Sequence, residues 1–491
     1  MYYTSIYYSL FKKNTLGQRL LKTQRNIGAS IQLQNNSRIA VIGAGPAGTL
    51  FSYFTLRLAE RIDLEIQLDI FEPRHFNHFG PAGCNHCGGI VSESLVQILA
   101  MDGIHLPPEV LQRGIDSYVL HTDAGTANID TPLHEKRIAS VYRGGGPKTL
   151  MQADWKSFDA FLLELAQKKG ANLYHELITK FNWWDGKPQI ASPGGVLKTY
   201  DLVVFATGVN SRLLETDKNL RDLKIGFKPP ITTTAFISEF HLGYELIQQY
   251  LGSAMHVFLL DIPRLKFAAI IPKKDFVTVC LLGKNVDANL VQAFFNSKEV
   301  QDCFPPSQDE NIANACHCLP RLNIRGSPQP FADRILFIGD AGISRLYKDG
   351  IGAAYRTAKA AANAVILDGI AASDLSYHFQ PTCAAIHRDN MIGTLVFGAS
   401  NIIQRLKFSR HAILRMVTIE QNSQEGTYRP MSLTLWDLFT GSSPYKEILI
   451  RTLHPYFILK LIWNLAIALF FPTSSKIKVP YDDNELSGKD I

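Results

Sequence analysis

Three wholly apolar runs punctuate this chain, and each closes on a glycine turn. They are Ile39–Ile42 before Gly43, Leu202–Ala206 before Gly208, and Ile335–Ile338 before Gly339. Short continuous apolar runs bounded by turn residues predict strands buried on both faces, as in a parallel sheet covered by other layers. Between these runs the period changes. Thr49 to about Arg61 predicts a helix, and Ile66–Phe71 a second strand ending at Glu72. A helix is expected from near Ser92, with Ser92 and Ser94 as caps and Glu93 in its first turn. Ser117–Thr122 and Thr126–Ile129 read as short strands. Phe158, Phe161, Leu162, Leu165 and Ala166 share one face of a helix from Phe158 to Lys169, closed by Gly170, and Ala171–Tyr174 reads as the next strand.

From Pro229 to Gly283 the pattern becomes alternating and β-branched, as in Ile231–Ile237 and Phe276–Leu282. That change predicts a mostly antiparallel sheet in a separate substrate domain. Cys303–Pro330 reads as loop-rich, Ile351–Leu367 as an alanine-rich helix, and the chain from Met391 as helical. Its last apolar run, Tyr456–Phe471, is interrupted by Lys460 and Asn464. It is short for a bilayer span, which needs roughly 20 apolar residues. With Trp463 and the flanking His454, Lys476 and Lys478, it reads as a membrane-surface or buried helix.

At 491 residues the chain exceeds a single core. The patterns divide it into a leader (1–37), an α/β half (38–215 and 331–372), an inserted substrate domain (216–330) and a helical C-terminal region (373–491). A net charge of +6 is modest and argues against a nucleic-acid partner. That charge is uneven: no Asp or Glu precedes Glu60, whereas Lys12, Lys13, Arg19, Lys22 and Arg25 do. The leader therefore reads as disordered, as an organelle-targeting segment, or as a basic arm on an anionic membrane. It has no continuous apolar stretch of a secretory signal. Seven cysteines, an odd number in a chain of this size, are no disulfide scaffold and suggest a reducing compartment, cytoplasmic or organellar.

Gly43, Gly45 and Gly48 have the G-x-G-x-x-G spacing of a dinucleotide-binding turn. Gly43 permits the tight turn, Gly45 lets a pyrophosphate approach the backbone, and Gly48 lets the helix pack on the strand. The helix N-terminus offers free N–H groups to phosphates. Glu72, at the end of the second strand, can accept hydrogen bonds from ribose hydroxyls.

Gly43-Ala-Gly-Pro-Ala-Gly48 with Glu72, Asp201–Gly208 followed by Val-Asn-Ser-Arg212, and Phe337-Ile-Gly-Asp-Ala341 occur in an order that resembles the FAD-binding fold of the glutathione-reductase and p-hydroxybenzoate-hydroxylase type. The resemblance implies a Rossmann-like α/β FAD-binding domain with an inserted, mostly antiparallel β substrate domain. It implies that Gly43, Gly45, Pro46, Ala47, Gly48, Glu72, Gly208, Gly339 and Asp340 hold FAD, with Asp340 on the ribityl chain or phosphates. Gly350, Ile351 and Gly352 would then open a helix towards the pyrimidine side of the flavin. His86-Cys-Gly-Gly-Ile-Val-Ser-Glu-Ser-Leu95 looks like a segment of the geranylgeranyl reductases. Tyr142-Arg143 and Ser157-Phe-Asp-Ala-Phe-Leu162 look like that family's arginine and helix, which would put Arg143 near the adenine or pyrophosphate end of FAD. The aromatic substrate motif of that family has at best a remnant in Phe267-Ala-Ala-Ile-Ile-Pro272.

On this reading Cys87 faces the flavin, either as proton donor or as part of the wall. Cys84-Asn-His-Cys87 and Cys316-His-Cys318 do not have the paired spacing of a metal knuckle, and no metal is expected. Gly144-Gly-Gly-Pro147 reads as a loop, so NAD(P)H or a protein electron donor would dock transiently. Two activities follow as expectations. One is hydride transfer from reduced flavin to a double bond of an apolar isoprenoid or lipid substrate. The other is an FAD-dependent monooxygenase using NAD(P)H and O2 on an aromatic or polyketide-like substrate. A non-enzymatic flavin-binding scaffold at a membrane is a third reading.

Overall fold

The computed structural model describes residues 30–85, 87–131, 138–148, 155–216, 220, 227–306, 315–424 and 426–470. Of the sequence expectations, the leader up to residue 29, His86, Phe471, Lys476 and Lys478 lie outside these described residues.

The chain enters through β1 (Ser37–Ile42), turns at Gly43, forms α1 (Pro46–Arg61) and returns through β2 (Ile66–Phe71). The helix starts three residues before the expected Thr49. Pro46 occupies its first position, where a missing N–H is no loss and the fixed φ favours the helix. Strands β3 (Ser117–Thr122) and β4 (Gly125–Asp130) precede α2 (Phe158–Lys168), β5 (Asn172–Tyr174) and β6 (Leu202–Phe205). Next come β7 (Ile231–His241), β8 (Ala254–Phe258), β9 (Leu265–Pro272) and β10 (Phe276–Gly283). Four short strands follow: β11 (Cys316–Cys318), β12 (Arg321–Arg325), β13 (Phe331–Ala332) and β14 (Ile335–Phe337). The remainder is helical: α3 (Gly350–Asn363), α4 (Ala372–Arg405), α5 (Lys407–Gln421), α6 (Pro430–Thr440), α7 (Tyr445–Thr452) and α8 (Pro455–Phe470).

The first sheet has six strands in the order β13-β14-β6-β1-β2-β5, parallel except for β13. Connections leave β1 in both directions, so the carboxyl end of β1 is a switch point where a crevice opens. Both faces are covered, which explains the continuous apolar runs. Leu50, Phe51, Phe54, Ala358 and Ala361 pack on one face. Phe181, Ile190 and Tyr200, from a three-stranded antiparallel layer and its exit, pack on the other.

The second sheet has eight strands, β11-β7-β10-β9-β8-β3-β4 with β12 also on β7, antiparallel except where β3 meets β8. One expectation changes here. Strands β3 and β4, placed with the 38–215 half from the sequence, pair into this sheet instead. Residues 303–330, expected to be loop-rich, also supply the short strands β11 and β12 along β7. These strands are too short to show a period of their own and draw their stability from the neighbouring edge. One face of the sheet packs on α5 and α6 through Tyr118, Leu120, Met255, Leu414, Trp436 and Phe439. The other buries Phe240, Phe258, Phe294 and Cys303.

Helix α4 begins at Ala372, well before the expected Met391. Helix α8 packs on α5 by Phe457 and Asn464 and exposes Leu459, Ile462, Trp463 and Phe470. Among the described residues no single helix is long and apolar enough to cross a membrane; α7 and α8, bent by 67°, meet that criterion only as a pair.

Candidate functional site

A cavity of about 950 Å3 runs from the carboxyl ends of β1 and β6 to the inner face of the eight-stranded sheet. Gly43, Gly45, Pro46, Ala47, Glu72, Cys87, Arg143, Gly208, Asp340, Gly350 and Ile351 all line it. One continuous space thus joins residues that the sequence reading collected from distant segments.

The glycines of the first turn divide by job. Gly43 has φ +105°, and a Cβ there would lie 2.5 Å from the Ala206 carbonyl oxygen. At Gly48 a Cβ would lie 2.0 Å from the Gly43 oxygen, so this glycine brings α1 against the turn. At Gly45 the nearest atom is Asn85 Nδ2, 3.9 Å away. The fold has room for a side chain at Gly45, and the space it leaves is cavity, which suits a ligand in contact with the backbone. The Ala44 N–H donates to Glu72 Oε2 at 3.0 Å, which fixes the buried Glu72 carboxylate at the mouth of the turn. Gly208 lines the cavity with φ +64°, a conformation glycine adopts without penalty.

Two residues expected at the cofactor do something else, and Gly48 has the helix-packing role its spacing predicted. Gly48, Gly339 and Gly352 do not line the cavity. A Cβ at Gly339 would lie 2.7 Å from the Ala47 Cβ, so this glycine packs α1 against the turn after β14. A Cβ at Gly352 would lie 2.2 Å from Asp349 Oδ1, so the space serves the Asp349 carboxylate and not a ligand ring. Gly350 does reach the cavity, at the N-terminus of α3. Negative charge there is stabilised by about 0.3–1 kcal/mol at an exposed helix end and up to about 2 when partly buried.

Arg143 holds Asp159 of α2 in a fork, with Nε and Nη2 at 2.5 and 2.9 Å from its two oxygens. Burial disfavours the cation, but the Asp159 carboxylate outweighs it and holds the guanidinium above its ordinary value. Asn85 donates to Asp159 at 2.6 Å and accepts from Arg74 at 2.6 Å, and Arg74 meets Glu72 at 3.2 Å. A polar relay therefore joins the two expected sites, Glu72 and Arg143, along one wall. Cys87 also interacts with Arg143 and accepts from the Gly89 N–H at 3.5 Å. The glycines after it are needed for space. A Cβ at Gly88 would sit 3.0 Å from Cys280 Sγ, and one at Gly89 2.0 Å from the Val141 oxygen. Asp340 lines the cavity with its carboxyl pushed above the ordinary value by burial, against a Ser344 hydrogen bond that lowers it. Gly144 and Gly145 pack on the backbone of residues 77–84 as a closed loop.

The far end of the cavity is apolar: Ala235, Ile237, Met255, Phe267, Ala269, Ile271 and Phe439. Into it projects Lys348, which the sequence reading missed. Its Nζ stands 3.5 Å from the Phe267 ring centroid, and among the described residues it makes no hydrogen bond or ion pair. Burial lowers its amine to about 7. Two left-handed residues flank it, Tyr347 (φ 61°) and Asp349 (φ 53°). Such conformations cost of order 1–3 kcal/mol for non-glycine residues and persist where the surroundings impose them. Here Arg345 bonds the carbonyls of Gly441 and Ser443 and pairs with Asp349, Asn390 holds both Ser344 and Leu346, and Tyr445 donates to the Leu346 carbonyl. The C-terminal helices thus clamp the loop that aims Lys348. A lysine two residues before the Gly350–Gly352 turn was the sole trace of this in the sequence.

No protein family model matches the sequence, and no curated protein matches it. The structure is similar to that of the halogenase PltM in complex with phloroglucinol and FAD, at 12% identity over 88% of this chain and 91% of that one, with a TM-score of 0.54. It is also similar to the flavin-dependent brominase Bmp2, at 15% identity over 84% of this chain and 94% of that one, with a TM-score of 0.51. The chain shares their fold, a Rossmann-like parallel α/β sheet joined to a mostly antiparallel β sheet.

Proposed function

We propose that the protein is an FAD-dependent oxidoreductase of the monooxygenase class, acting on an apolar, aromatic substrate that carries an acidic hydroxyl. The fold held in common with flavin-dependent halogenases supports the oxygen-using reading of the sequence. It gives no support to the reading as an isoprenoid double-bond reductase, the likeness to which rests on short segments: Cys87-Gly-Gly, Tyr142-Arg143 and Ser157–Leu162. The observation that carries the proposal is Lys348, an amine without a counter-ion among the described residues, in the apolar half of a cavity whose other half has the form of a dinucleotide cradle.

Bound FAD supplies two-electron redox chemistry and, once reduced by NAD(P)H, reaction with O2. Glu72, fixed by the Ala44 amide, would accept from ribose hydroxyls, and the α1 N-terminus would hold the pyrophosphate. Asp340 and the α3 N-terminus line the stretch between these groups and the apolar chamber. Met255, Phe267, Ile271 and Phe439 exclude water around the substrate. A phenolic hydroxyl against Lys348 would be acidified by the ammonium, and the neutral amine can take its proton. Ionisation makes the ring electron-rich, which oxygen-transfer chemistry requires. Helix α8, with Leu459, Ile462, Trp463 and Phe470 exposed around Lys460, supports docking on a membrane surface, from which an apolar substrate would enter.

The test is oxygen uptake by FAD-loaded protein with NAD(P)H and a panel of phenols and prenylated lipids. Phenol-stimulated uptake, lost in Lys348→Met with FAD retained, is the expected result. Anaerobic saturation of a prenyl chain with no phenol-dependent oxygen uptake would overturn it in favour of the reductase.

A further inference from the structure

On the face of the eight-stranded sheet turned away from the cavity, three donors from distant segments converge. His121 lies on β3, His256 on the adjacent β8, and Cys303 just after the short helix Lys298–Gln301. Their exposures are 8%, 6% and 2%. His121 Nε2 and His256 Nδ1 are 2.8 Å apart, and Cys303 Sγ is 3.5 Å from the latter and 3.9 Å from the former. The three donor atoms all lie within 4.8 Å of one another.

The outward atoms of the rings are also held. His256 Nε2 donates to the Leu251 carbonyl at 3.3 Å, which leaves its Nδ1 lone pair pointing inward. His121 Nδ1 lies 3.5 Å from Thr126 Oγ1, and Phe258 stacks on the His121 ring with centroids 4.6 Å apart. Outer hydrogen bonds that set ring orientation are the normal surroundings of ligating histidines.

We propose that His121, His256 and Cys303 bind one thiophilic metal ion. Charge and coordination number favour copper(I). Two neutral imidazoles and one thiolate neutralise a monovalent ion, and a trio of soft and borderline donors suits a three-coordinate one. Zinc(II) would leave a net positive charge in an apolar core or need a fourth, water-derived ligand. Binding releases the Cys303 proton to solvent and changes no oxidation state. The ion would pin β3, β8 and the 298–303 segment together behind the substrate chamber, whose wall includes Met255, the neighbour of His256. The inference is independent of the flavin reading and concerns residues other than the Cys84–Cys87 and Cys316–Cys318 pairs.

The test uses the full chain without a histidine tag, loaded separately with copper(I) and zinc(II) under reducing conditions. Expected are one ion per chain by elemental analysis and an X-ray absorption shell of one sulfur and two nitrogens. Chelation should lower the melting temperature, and Cys303→Ser and His256→Gln should each lose the ion while keeping flavin absorbance. Should those variants fail to fold, the wild-type absorption shell decides. Protein that retains neither ion at equimolar micromolar concentration, or whose bound ion has no sulfur neighbour, would overturn the proposal. Stoichiometric zinc with a fourth oxygen ligand would keep the site and overturn the choice of copper.

Discussion

The ammonium of Lys348 stands 3.5 Å above the Phe267 ring, and that ring is its closest compensation inside the cavity. A cation over an aromatic face gains about 0.5–2 kcal/mol, less than the loss of hydration on burial. The amine therefore releases its proton near pH 7, whereas in the unfolded chain it holds it to about 10.4. Between these values the unfolded state binds the extra proton, so stability rises with pH from about 7 upward. Below 7 the penalty of the buried cation is fully present. Denaturant titrations of apo protein across pH 6–10 should show this rise in the wild type and lose it in Lys348→Met.

Gly45, which lines the cavity, and Gly48, which packs α1 against the turn, should separate cofactor binding from folding. Gly45→Val puts a side chain into open cavity and should give folded protein without bound FAD. Gly48→Val drives a Cβ into the Gly43 oxygen and should destabilise the fold by more than about 3 kcal/mol. Circular dichroism and flavin absorbance of the two variants check this. A fully yellow Gly45→Val protein would mean the pyrophosphate lies elsewhere.

Removing one partner of the Arg143–Asp159 fork leaves the other charge buried and unpaired. Asp159→Ala should lower unfolding free energy by about 3–5 kcal/mol, since Asp159 is fully buried and Arg143 is nearly so. Asp159→Asn keeps one oxygen to accept from Asn85 and Arg143 Nη2, loses the bond from Arg143 Nε, and should lose less than Asp159→Ala. Urea unfolding of both, with FAD titration, distinguishes loss of stability from loss of binding.

Helix α8 offers a test of membrane contact that leaves the core intact. Leu459 and Trp463 are 69% and 68% exposed. The pair Leu459→Asp and Trp463→Asp should abolish co-flotation with anionic phospholipid vesicles while thermal unfolding stays within about 0.5 kcal/mol per site. Wild-type protein that stays at the bottom of the gradient at low salt would remove α8 as the membrane contact.

The strand–turn–helix around Gly43–Gly48, the acidic residue at the end of β2 and the glycine of β6 were legible because each is a local event. A tight turn, a close approach and a strand end are written in neighbouring residues, and the burial of β1 and β6 on both faces shows as unbroken apolar runs. Gly339 and Gly352 were read as cofactor contacts because a glycine's freedom is visible in sequence, whereas the neighbour it makes room for is not. Membership of β3 and β4 in the eight-stranded sheet, and the pairing of β11 and β12 with β7, depend on edges far away in the chain.

From its residues alone this chain determined its layers and the cradle, because periodicity and glycine turns act over a few residues. Only the tertiary structure decided what faces the cradle. Lys348 is aimed by Arg345, Asn390 and Tyr445; His121 and His256 meet through strand pairing across 135 residues, and Cys303 reaches His256 across 47 residues from the turn after a short helix. Such contacts depend on where distant backbones come to rest, and a side chain's charge and reactivity follow from the burial it meets there.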